Sequence, residues 1–377
     1  MGRSIAIIGT RGYPSYYGGF ETAVRRLAPY LAEQGWEVTV YGRPGTTALR
    51  DPDRDERVIT RQTRGVESKS LSTLSYGLTA ALDAAKRKPD VALVLNCANG
   101  FWLPILRQRG IPTVVNVDGI EWDRAKWGRF AKFVFHQGAV WTARHGDRMV
   151  YDAAAIETRW KREFGRDGDV IPYGGDVPPE HPVEPGLTHR GYALIVARFV
   201  PENTVPEFIE AAERIARTHD VVIVGSSGYG GPIDQAVSAL AQQNARVHWF
   251  GHVSDDTRLH SLWQHAGAYF HGHSVGGTNP ALVQAMACGA PVVARDTVFN
   301  REVLQEAGRF VAPTPDAIAE GVLAVLNDPI EQERLSYRGH LRAVHSYSWA
   351  EVNAGYERSL LSVIAERAGA GASRSRA

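Results

Sequence analysis

The sequence predicts an α/β fold built from two doubly wound domains, and three observations predict it. Short apolar runs that suit buried parallel strands alternate with helical patterns in both halves of the chain. A proline-rich segment, residues 177–186, separates the two halves as a linker would. The length of 377 residues is sufficient for two well-buried cores.

These features predict the boundaries of the domains. The N-terminal domain covers residues 1–177, a linker covers 178–188, and the C-terminal domain covers 189–349. A last helix is expected at 350–366. The small and basic tail at 367–377 has the composition of a disordered segment.

The composition predicts a cytoplasmic protein that does not bind nucleic acid. With 42 basic and 41 acidic residues, the chain lacks the excess positive charge that attracts nucleic acid. Cys97 and Cys288 lie in apolar segments, which indicates buried thiols in a reduced compartment. No apolar run reaches the ~20 residues of a membrane helix, so we expect at most peripheral contact with the inner face of a membrane.

The first domain opens with a strand, a glycine-rich loop and a helix. The apolar run Ser4–Ile8 predicts a buried parallel strand, and residues 20–34 have helical spacing. The glycines between them do not fit the G-x-G-x-x-G dinucleotide fingerprint. Gly18 and Gly19, directly before the helix, allow either close approach of a phosphate or a purely structural turn.

Two further strands of the first domain are followed by polar side chains. The runs 91–95 and 113–117 predict neighbouring buried strands, and Asn99, Asp118 and Glu121 come after them. The carboxyl ends of parallel strands meet at one edge of a sheet, where ligands bind. We therefore expect Asp118 and Glu121 to handle a hydroxyl group, with helix capping as the alternative. Asn99 and Glu121 are the candidates for contact with the molecule that carries this hydroxyl group.

The sequence predicts neither a metal ion nor a cofactor. Two D-x-D patterns occur, at Asp51 and Asp53 and at Asp167 and Asp169. Both lie in charged loops without the additional carboxylates that a divalent cation usually requires.

The segment 123–141 mixes basic residues with aromatic ones. Its basic members are Arg124, Lys126, Arg129 and Lys132, and its aromatic members include Trp127, Phe130, Phe133 and Phe135. Such a helix usually packs its aromatic side chains inward, and this is the interpretation we favour. The alternative is a helix that lies on a membrane surface and gives access to a lipid-linked acceptor.

The second domain repeats the strand and helix alternation. Strands are predicted at 192–197, 220–224, 246–250, 268–270 and 291–294, and helices at 205–217, 233–242, 256–266 and 281–288. The glycine-bearing loop 274–280 lies between a strand and a helix. Its backbone N–H groups and the helix N-terminus suit phosphate or sugar oxygens, although a tight turn also needs glycine.

Four dispersed motifs, in order, resemble a known family. They are IIGTRGYPSYYGGFET, VNVDGIEWDRAKW, VARFVPEN and HSVGGTNPALVQAMACGAPVVA. The chain resembles the retaining family 4 glycosyltransferases of GT-B fold, in particular a rhamnosyltransferase-like branch whose N-terminal domain was formerly of unknown function. The resemblance covers nearly the whole chain.

The resemblance implies a fold and an activity. It implies two Rossmann-like domains facing across a cleft, with the C-terminal helix returning to the first domain. It also implies metal-independent transfer of a hexosyl group with retention, rhamnosyl being the sugar that the branch suggests, in polysaccharide or glycoconjugate biosynthesis. The donor would be a dTDP-, UDP- or GDP-linked sugar, and the acceptor a glycan, a lipid-linked molecule or a small molecule.

The resemblance also implies roles for individual residues. Arg198 falls where the family places an arginine on the donor diphosphate, and Asp118 lies close to the position where many members of the family have a histidine that contacts the donor sugar. These two are the candidate catalytic residues. The candidate donor-binding residues are Gly18, Gly19, Arg198, Asn203, His273, Gly276, Gly277, Thr278, Asn279 and Gln284.

Three positions depart from the family pattern. Gly276 and Gln284 replace a pair of glutamates, and Asn203 replaces a lysine. A glutamine lacks the charged acceptor that grips a ribose diol, which favours a deoxyribose donor such as a dTDP-sugar. The departures also leave two rivals open, a catalytically inactive nucleotide-sugar-binding protein and a nucleotide-sugar epimerase. The family motifs argue against the epimerase.

Overall fold

The computed structural model describes residues 2–16, 18–48, 50–52, 54–66, 72–124, 127–228 and 230–374. The chain forms two compact units. The first unit contains residues 1–173 and 349–377, and the second contains residues 174–348.

The described residues of the first unit include a seven-stranded sheet in which every neighbouring pair is parallel. Its strands are β1 (Ser4–Ile8), β2 (Glu37–Gly42), β3 (Ile59–Gln62), β4 (Val91–Leu95), β5 (Thr113–Asn116), β6 (Arg148–Tyr151) and β7 (Gly168–Val170). Their spatial order is β3-β2-β1-β4-β5-β6-β7. All five residues of β4 are buried, as a central strand covered on both faces requires.

Helices connect these strands. They are α1 (Gly19–Glu33), α2 (Ser72–Arg87), α3 (Leu103–Gln108), α4 (Arg129–His145) and α5 (Ala154–Phe164). Helix α1 packs its buried apolar residues, such as Leu27 and Leu31, into the core that also contains Ile5 and Val38 of the neighbouring strands. This burial of an apolar stripe is the main source of stability for such a helix.

The second unit, within its described residues, contains a six-stranded parallel sheet. Its strands are β8 (Tyr192–Val196), β9 (Asp220–Val224), β10 (Val247–Gly251), β11 (Ala268–His271), β12 (Val292–Arg295) and β13 (Gly308–Val311). Their spatial order is β10-β9-β8-β11-β12-β13. Strand β11 therefore lies between β8 and β12, which brings the segments that follow these three strands to one edge of the sheet.

The helices of the second unit lie along both faces of this sheet. They are α6 (Val205–Ile215), α7 (Pro232–Gln243), α8 (Asp256–His265), α9 (Pro280–Ala287), α10 (Val298–Leu304), α11 (Pro315–Leu326) and α12 (Pro329–Ser346). Two groups of buried residues, one centred on Phe208 and Phe270 and the other on Met286 and Tyr269, fill the space between helices and strands.

The last helix, α13 (Trp349–Arg374), belongs to the first unit. Its Leu360 is fully buried in the core of that unit. The hydroxyl of Tyr356 accepts a hydrogen bond of 2.6 Å from Asn116 Nδ2 at the end of β5. The C-terminal helix thus returns to the first domain, as expected.

The structure differs from the sequence predictions at several elements, among them β3, β13 and the last helix. Strand β3 lies in a polar segment that the sequence analysis leaves without a strand, because this edge strand is half-exposed and carries no continuous apolar run. The helix predicted at 350–366 continues to Arg374. Residues 367–374 are therefore helical, in keeping with their alanine and arginine content, and 375–377 lie outside the described residues.

The predicted linker is attached to the second unit. The side chain of Arg258 on α8 forms an ion pair of 2.7 Å with Glu184, and the Gln264 side chain accepts a hydrogen bond of 3.0 Å from the His181 N–H. The segment 178–188 is therefore held against α8, and the second unit begins before it, at residue 174.

Both cysteines are free and buried, as predicted for Cys97 and Cys288. In the part of the chain that the structure describes, no helix combines the length and the apolarity that crossing a bilayer requires.

Candidate functional site

Arg198 lies at the carboxyl end of β8, two residues after the strand ends. Its side chain is exposed, and its guanidinium forms no hydrogen bond or ion pair with any residue that the structure describes. Other arginines of this unit are paired with carboxylates, for example Arg258 with Glu184 and Arg301 with Asp296. A guanidinium that is exposed and unpaired at this edge can bind a phosphate group bidentately.

Asn203 holds the loop that carries Arg198. Its side chain is 4% exposed, and Nδ2 donates a hydrogen bond of 2.9 Å to the Arg198 carbonyl oxygen. Thr204, with a positive φ of 58°, follows it and donates through Oγ1 to the Gly272 carbonyl, at 2.5 Å. In this structure the amide of Asn203 therefore supports the backbone at Arg198, although the sequence analysis assigns Asn203 to the donor.

The loop after β11 is fixed at its start and at its end. The backbone N–H and the Oγ of Ser274 both donate to the Glu202 carbonyl, at 3.0 and 2.8 Å. Asn279 caps α9, since its Oδ1 accepts from the Ala281 N–H at 3.0 Å. The Asn279 side chain predicted to bind a sugar thus also begins the helix.

The middle of this loop consists of Gly276, Gly277 and Thr278. Gly276 has a φ of 96°, in the region that favours glycine, and a Cβ there would meet nothing within 4 Å. The conformation, and not crowding, requires glycine here. The N–H groups of Gly276 and Gly277 donate to no residue among those described, so they can bind a sugar or phosphate oxygen. The Thr278 side chain is 4% exposed.

His273 stacks on a buried histidine. Its ring lies 4.4 Å from that of His271, with an angle of 11° between the two planes. Burial, and secondarily the neighbouring His273, lowers the pKa of His271 far below its ordinary value, so His271 is neutral. The hydroxyl of Tyr269 contacts His271 Nδ1 at 3.1 Å. The stack fixes the plane of the His273 ring at the start of the loop.

Gln284 on α9 uses both groups of its amide on one residue. Oε1 accepts a hydrogen bond of 3.1 Å from the Asp176 N–H, and Nε2 donates one of 2.7 Å to the Asp176 carbonyl. Nε2 also donates to Cys288 Sγ, at 3.5 Å, so a ribose hydroxyl would have to use the second lone pair of Oε1. A glutamate could accept from the N–H but could not donate to the carbonyl, so the backbone contact explains the glutamine at this position.

The two glycines of the first unit have different surroundings. A Cβ on Gly19 would lie 3.1 Å from the Tyr173 hydroxyl, so a larger residue would push against the tyrosine. Gly18 is extended, with a φ of −168°, and precedes α1 as its N-cap residue. The packing of Tyr173 accounts for Gly19 by itself, which agrees with the structural interpretation of this turn.

Asp118 lies just after β5 in a strained conformation. Its φ is 66°, which is uncommon for a residue with a side chain, and its N–H donates to Asn116 Oδ1 at 2.9 Å. Oδ2 accepts a hydrogen bond of 2.9 Å from Asn96 Nδ2. Burial, followed by the Glu121 carboxylate, raises the pKa of Asp118 from its ordinary value of 3.8 to about 6. Strain and a raised pKa together are typical of functional carboxylates.

Glu121 and Asn99 serve the structure of the first unit. Glu121 is 3% exposed, and its two oxygen atoms accept from the Arg124 guanidinium and from Trp127 Nε1, the latter at 2.9 Å. Asn99 is 1% exposed and donates through Nδ2 to the Leu95 carbonyl, at 2.8 Å. Neither side chain reaches an open surface, which favours a structural role over the predicted contact with an acceptor.

The aromatic side chains of α4 do not all pack inward. Phe130 is 78% exposed, Phe133 is 60% exposed and Trp141 is 39% exposed. The favoured interpretation of inward packing is therefore wrong for these three residues. It holds for Trp127, which precedes α4 and lies on Glu121. Of the basic residues, Arg129 is exposed and Lys126 lies outside the described residues.

The described residues contain no group of three or more His, Cys, Asp and Glu side chains that could hold a metal ion. Of the D-x-D residues, Asp169 pairs with Arg148 at 2.6 Å, and Asp53 lies outside the described residues.

Arg295 is a candidate that the sequence analysis missed. It is the last residue of β12, and its Nη1 donates a hydrogen bond of 3.0 Å to Thr204 Oγ1. Asn300 connects this corner to the loop, since its Nδ2 donates to the carbonyl oxygens of Arg295 and His273, at 2.9 and 3.1 Å. The rule that ligands bind at the carboxyl ends of strands also applies to β12 and would have indicated Arg295.

Comparison with known proteins identifies two family models along the chain. The model described as "Glycosyl transferases group 1" matches residues 179–342, and the "Glycosyl transferase 4-like domain" matches residues 18–174. The two matches follow one another across both units.

Curated relatives include two mannosyltransferases. The chain is 27% identical over 418 residues to the MMP alpha-(1->4)-mannosyltransferase of Mycolicibacterium hassiacum, covering 96% of this chain and 99% of the relative. It is 32% identical over 214 residues to the phosphatidyl-myo-inositol mannosyltransferase of Mycolicibacterium smegmatis, covering 53% of each. The second match thus spans about half the length of that relative.

Among solved structures, the chain is similar to the sucrose-phosphate synthase of Thermosynechococcus elongatus. The TM-score is 0.79 with 19% sequence identity, over 97% of this chain and 100% of the other. At this identity the similarity establishes the fold alone, which is two Rossmann-like parallel sheets.

Proposed function

Because the chain belongs to the group 1 glycosyltransferases of GT-B fold, we propose that it transfers a hexosyl group from a nucleotide-diphosphate sugar to an acceptor hydroxyl, with retained anomeric configuration and without a metal ion. The observation that carries the proposal is the exposed and unpaired Arg198 at the carboxyl end of β8. It lies in the same unit as the free N–H groups of Gly276 and Gly277.

The chemistry requires stabilisation of the leaving group. The bond between the anomeric carbon and the diphosphate oxygen breaks, and negative charge develops on the diphosphate. Arg198 and the N–H groups of the loop supply fixed positive charge and dipoles at that position. The acceptor oxygen attacks on the face that the diphosphate leaves, and its proton passes to a leaving phosphate oxygen. This scheme needs no protein nucleophile.

In the first unit, Asp118 is the residue that we assign to positioning a sugar or acceptor hydroxyl. With a pKa of about 6 its carboxyl is mostly ionised at neutral pH. A carboxylate accepts strong hydrogen bonds from hydroxyl groups. The left-handed backbone and the Asn96 hydrogen bond hold its orientation, as positioning requires.

The identity of the transferred sugar and of its nucleotide is less specific than the type of reaction. The motifs of the chain suggest a rhamnosyl group, whereas the relatives named above are mannosyltransferases. We therefore propose a hexosyl group without restricting it to one sugar, and we expect the nucleotide to be dTDP, UDP or GDP.

A calorimetric titration with dTDP, UDP, GDP and ADP, with and without magnesium, tests the proposal. We expect one nucleoside diphosphate to bind at least tenfold more tightly than the others, and magnesium to leave its affinity unchanged. The reason is that the protein supplies the positive charge at the diphosphate by itself. An affinity that appears only with magnesium would contradict the metal-independent scheme.

Turnover distinguishes a transferase from the two rival functions. A transferase releases many equivalents of nucleoside diphosphate from the matching donor sugar when an acceptor is present. An inactive binding protein would release none in excess of its own concentration, and an epimerase would change the sugar without an acceptor.

We also propose that the chain binds peripherally to an anionic membrane surface at its cytoplasmic face, through α4. Phe130, Phe133 and Trp141 present aromatic surface to solvent, and Arg129 and Arg144 are exposed on the same helix. Aromatic side chains that insert at the interface, flanked by cations that face lipid phosphates, are typical of interfacial helices. Such contact would give access to a lipid-linked acceptor.

Sedimentation with vesicles tests the proposed surface. We expect Phe130→Ser/Phe133→Ser to lower partitioning into phosphatidylcholine vesicles containing phosphatidylglycerol by roughly a hundredfold or more, since each buried Phe contributes roughly 1.5–3 kcal/mol. Ile330→Ser is the matched control, because Ile330 is 82% exposed on α12 of the other unit. Equal partitioning of the double variant and the wild type, or binding that is insensitive to salt and to phosphatidylglycerol, would contradict the proposal.

A further inference from the structure

We propose that Arg295 is the second cation of the donor-diphosphate site, and that it supplies the positive charge that a lysine at position 203 would supply. This inference rests on the proposed function and concerns the same site. Asn203 is neutral, and its amide is bonded to the Arg198 carbonyl. Position 203 therefore brings no charge to this corner of the sheet, whereas Arg295, which contacts the next residue, does.

The geometry places the Arg295 side chain beside position 203. Although Arg295 ends β12, its Nη1 lies 3.0 Å from Oγ1 of Thr204, the residue directly after Asn203. Thr204 Oγ1 in turn donates to the Gly272 carbonyl, one residue after β11. The guanidinium therefore extends from β12 across the end of β11 to the segment that follows β8.

The order of the strands places Arg198 and Arg295 on opposite sides of β11. Strands β8 and β12 flank β11, so they lie about 10 Å apart at the normal spacing of strands. Arg198 follows β8, and the glycine-bearing loop follows β11. The two guanidinium groups thus originate on either side of the loop whose N–H groups are free.

The charge of Arg295 has no compensation among the described residues. Among these residues the guanidinium of Arg295 forms its only hydrogen bond with the neutral hydroxyl of Thr204, and no carboxylate lies within ion-pair distance. Its neighbour Asp296 is paired with Arg301, at 2.5 Å. A half-buried guanidinium without an anion loses hydration and gains little in return, which makes a bound phosphate favourable.

A purely structural role explains less. A neutral side chain could donate a hydrogen bond to Thr204 Oγ1 without placing a charge at the edge of the sheet. Thr204 already has a stable partner in the Gly272 carbonyl. The guanidinium keeps further N–H donors in a planar fork, and a diphosphate offers several acceptor oxygens to two such forks at once.

Calorimetry with UDP, GDP, dTDP and ADP, and with the corresponding nucleoside monophosphates, tests the inference. For the diphosphate that the wild type binds, we expect Arg295→Ala to weaken binding tenfold to a hundredfold, the usual effect of losing a charged hydrogen bond. The monophosphate should lose much less. Arg295→Lys should restore part of the affinity, because it restores the charge but not the fork.

Two further variants make the result specific. Arg309→Ala removes an exposed arginine from the neighbouring strand β13 and should leave UDP, GDP, dTDP and ADP binding unchanged. Asn203→Lys in the Arg295→Ala background should recover affinity for the diphosphate, since it returns the charge to the same corner. Thermal unfolding of each variant verifies that it is folded.

The outcomes separate this inference from the proposed function. Equal loss of diphosphate and monophosphate affinity, or no loss in Arg295→Ala, would overturn the role of Arg295 while the transferase proposal stands. Absence of binding of all four diphosphates to the wild type would overturn the proposed function and this inference with it.

Discussion

Arg198→Ala should lower kcat by roughly a hundredfold to a thousandfold, the effect of removing one group that stabilises developing charge. The guanidinium is exposed at the end of β8 and is bonded to no described residue, so the substitution removes charge from the site and little else. For the same reason the free energy of unfolding should change by less than about 0.5 kcal/mol. Steady-state release of the nucleoside diphosphate, together with thermal unfolding, measures both quantities.

Conservative and distant variants complete this experiment. Arg198→Lys should retain part of the activity, because a lysine keeps the charge but cannot bind two phosphate oxygens with a planar fork. Arg309→Ala, which removes an exposed arginine of the same unit, should have normal kcat. Turnover of Arg198→Ala within a few-fold of the wild type would remove Arg198 from the catalytic scheme.

Most of the central strands of both sheets could be predicted because their pattern is local. A parallel strand that is covered on both faces appears as a continuous apolar run, and β4 and β8 are recognisable on this basis alone. The same reasoning indicates that polar residues directly after such strands belong to a ligand site, which is the basis of the prediction for Asp118, whereas the prediction for Arg198 comes from the family resemblance. The edge strand β3 could not be predicted in this way, because it lacks a continuous apolar run.

The partners of individual side chains could not be predicted, because they come from distant parts of the chain. The amide of Gln284 is bonded to Asp176, 108 positions earlier in the sequence. A comparison of motifs therefore interprets the glutamine as a change in the contact to ribose, whereas the fold gives it a backbone contact. The partners of Glu121 could not be predicted for a related reason, since its contacts with Arg124 and Trp127 depend on a turn without a periodic pattern.

Asn203 illustrates that the charge of a site can come from an element other than the one that carries the sequence motif. Seen in the sequence, Asn203 removes a positive charge. In the fold, Arg295 extends to the adjacent Thr204 from a strand that is more than 90 residues away in sequence. Sequence motifs locate the site by its loops, but the charge that the site offers depends on side chains that only the sheet brings together.

Asp118→Asn should make the protein more stable at neutral pH and less active. Folding raises the pKa of Asp118 from 3.8 to about 6, so the folded state holds this proton more tightly than the unfolded chain does. The stability that the protonated group contributes is complete below about pH 4 and is lost as the pH rises through about 6. At pH 7 the ionised carboxyl therefore opposes folding by up to about 3 kcal/mol, and the neutral asparagine does not.

Urea unfolding at pH 4.5 and pH 7.5 measures this difference. At pH 7.5 the variant should have a larger free energy of unfolding than the wild type. The difference between the two free energies should be smaller at pH 4.5. Asparagine tolerates the positive φ of this position and can still accept from Asn96, so the local fold should persist. Asp169→Asn is the control, because its effect on stability at neutral pH should have the opposite sign. Although burial raises the Asp169 pKa, hydrogen bonds from Arg148 and Ser359 lower it overall, so this variant should lose stability at neutral pH.

The turnover of Asp118→Asn distinguishes a functional role of the Asp118 carboxylate from a structural one. If Asp118 positions a hydroxyl group, Asp118→Asn should lower turnover roughly a hundredfold, because a neutral amide oxygen is a weaker acceptor and geometry at the reacting atoms is demanding. A variant that is more stable and less active shows that strain and a raised pKa are kept for function. A variant of normal activity, or one less stable than the wild type at pH 7.5, would show that the carboxylate serves the fold instead.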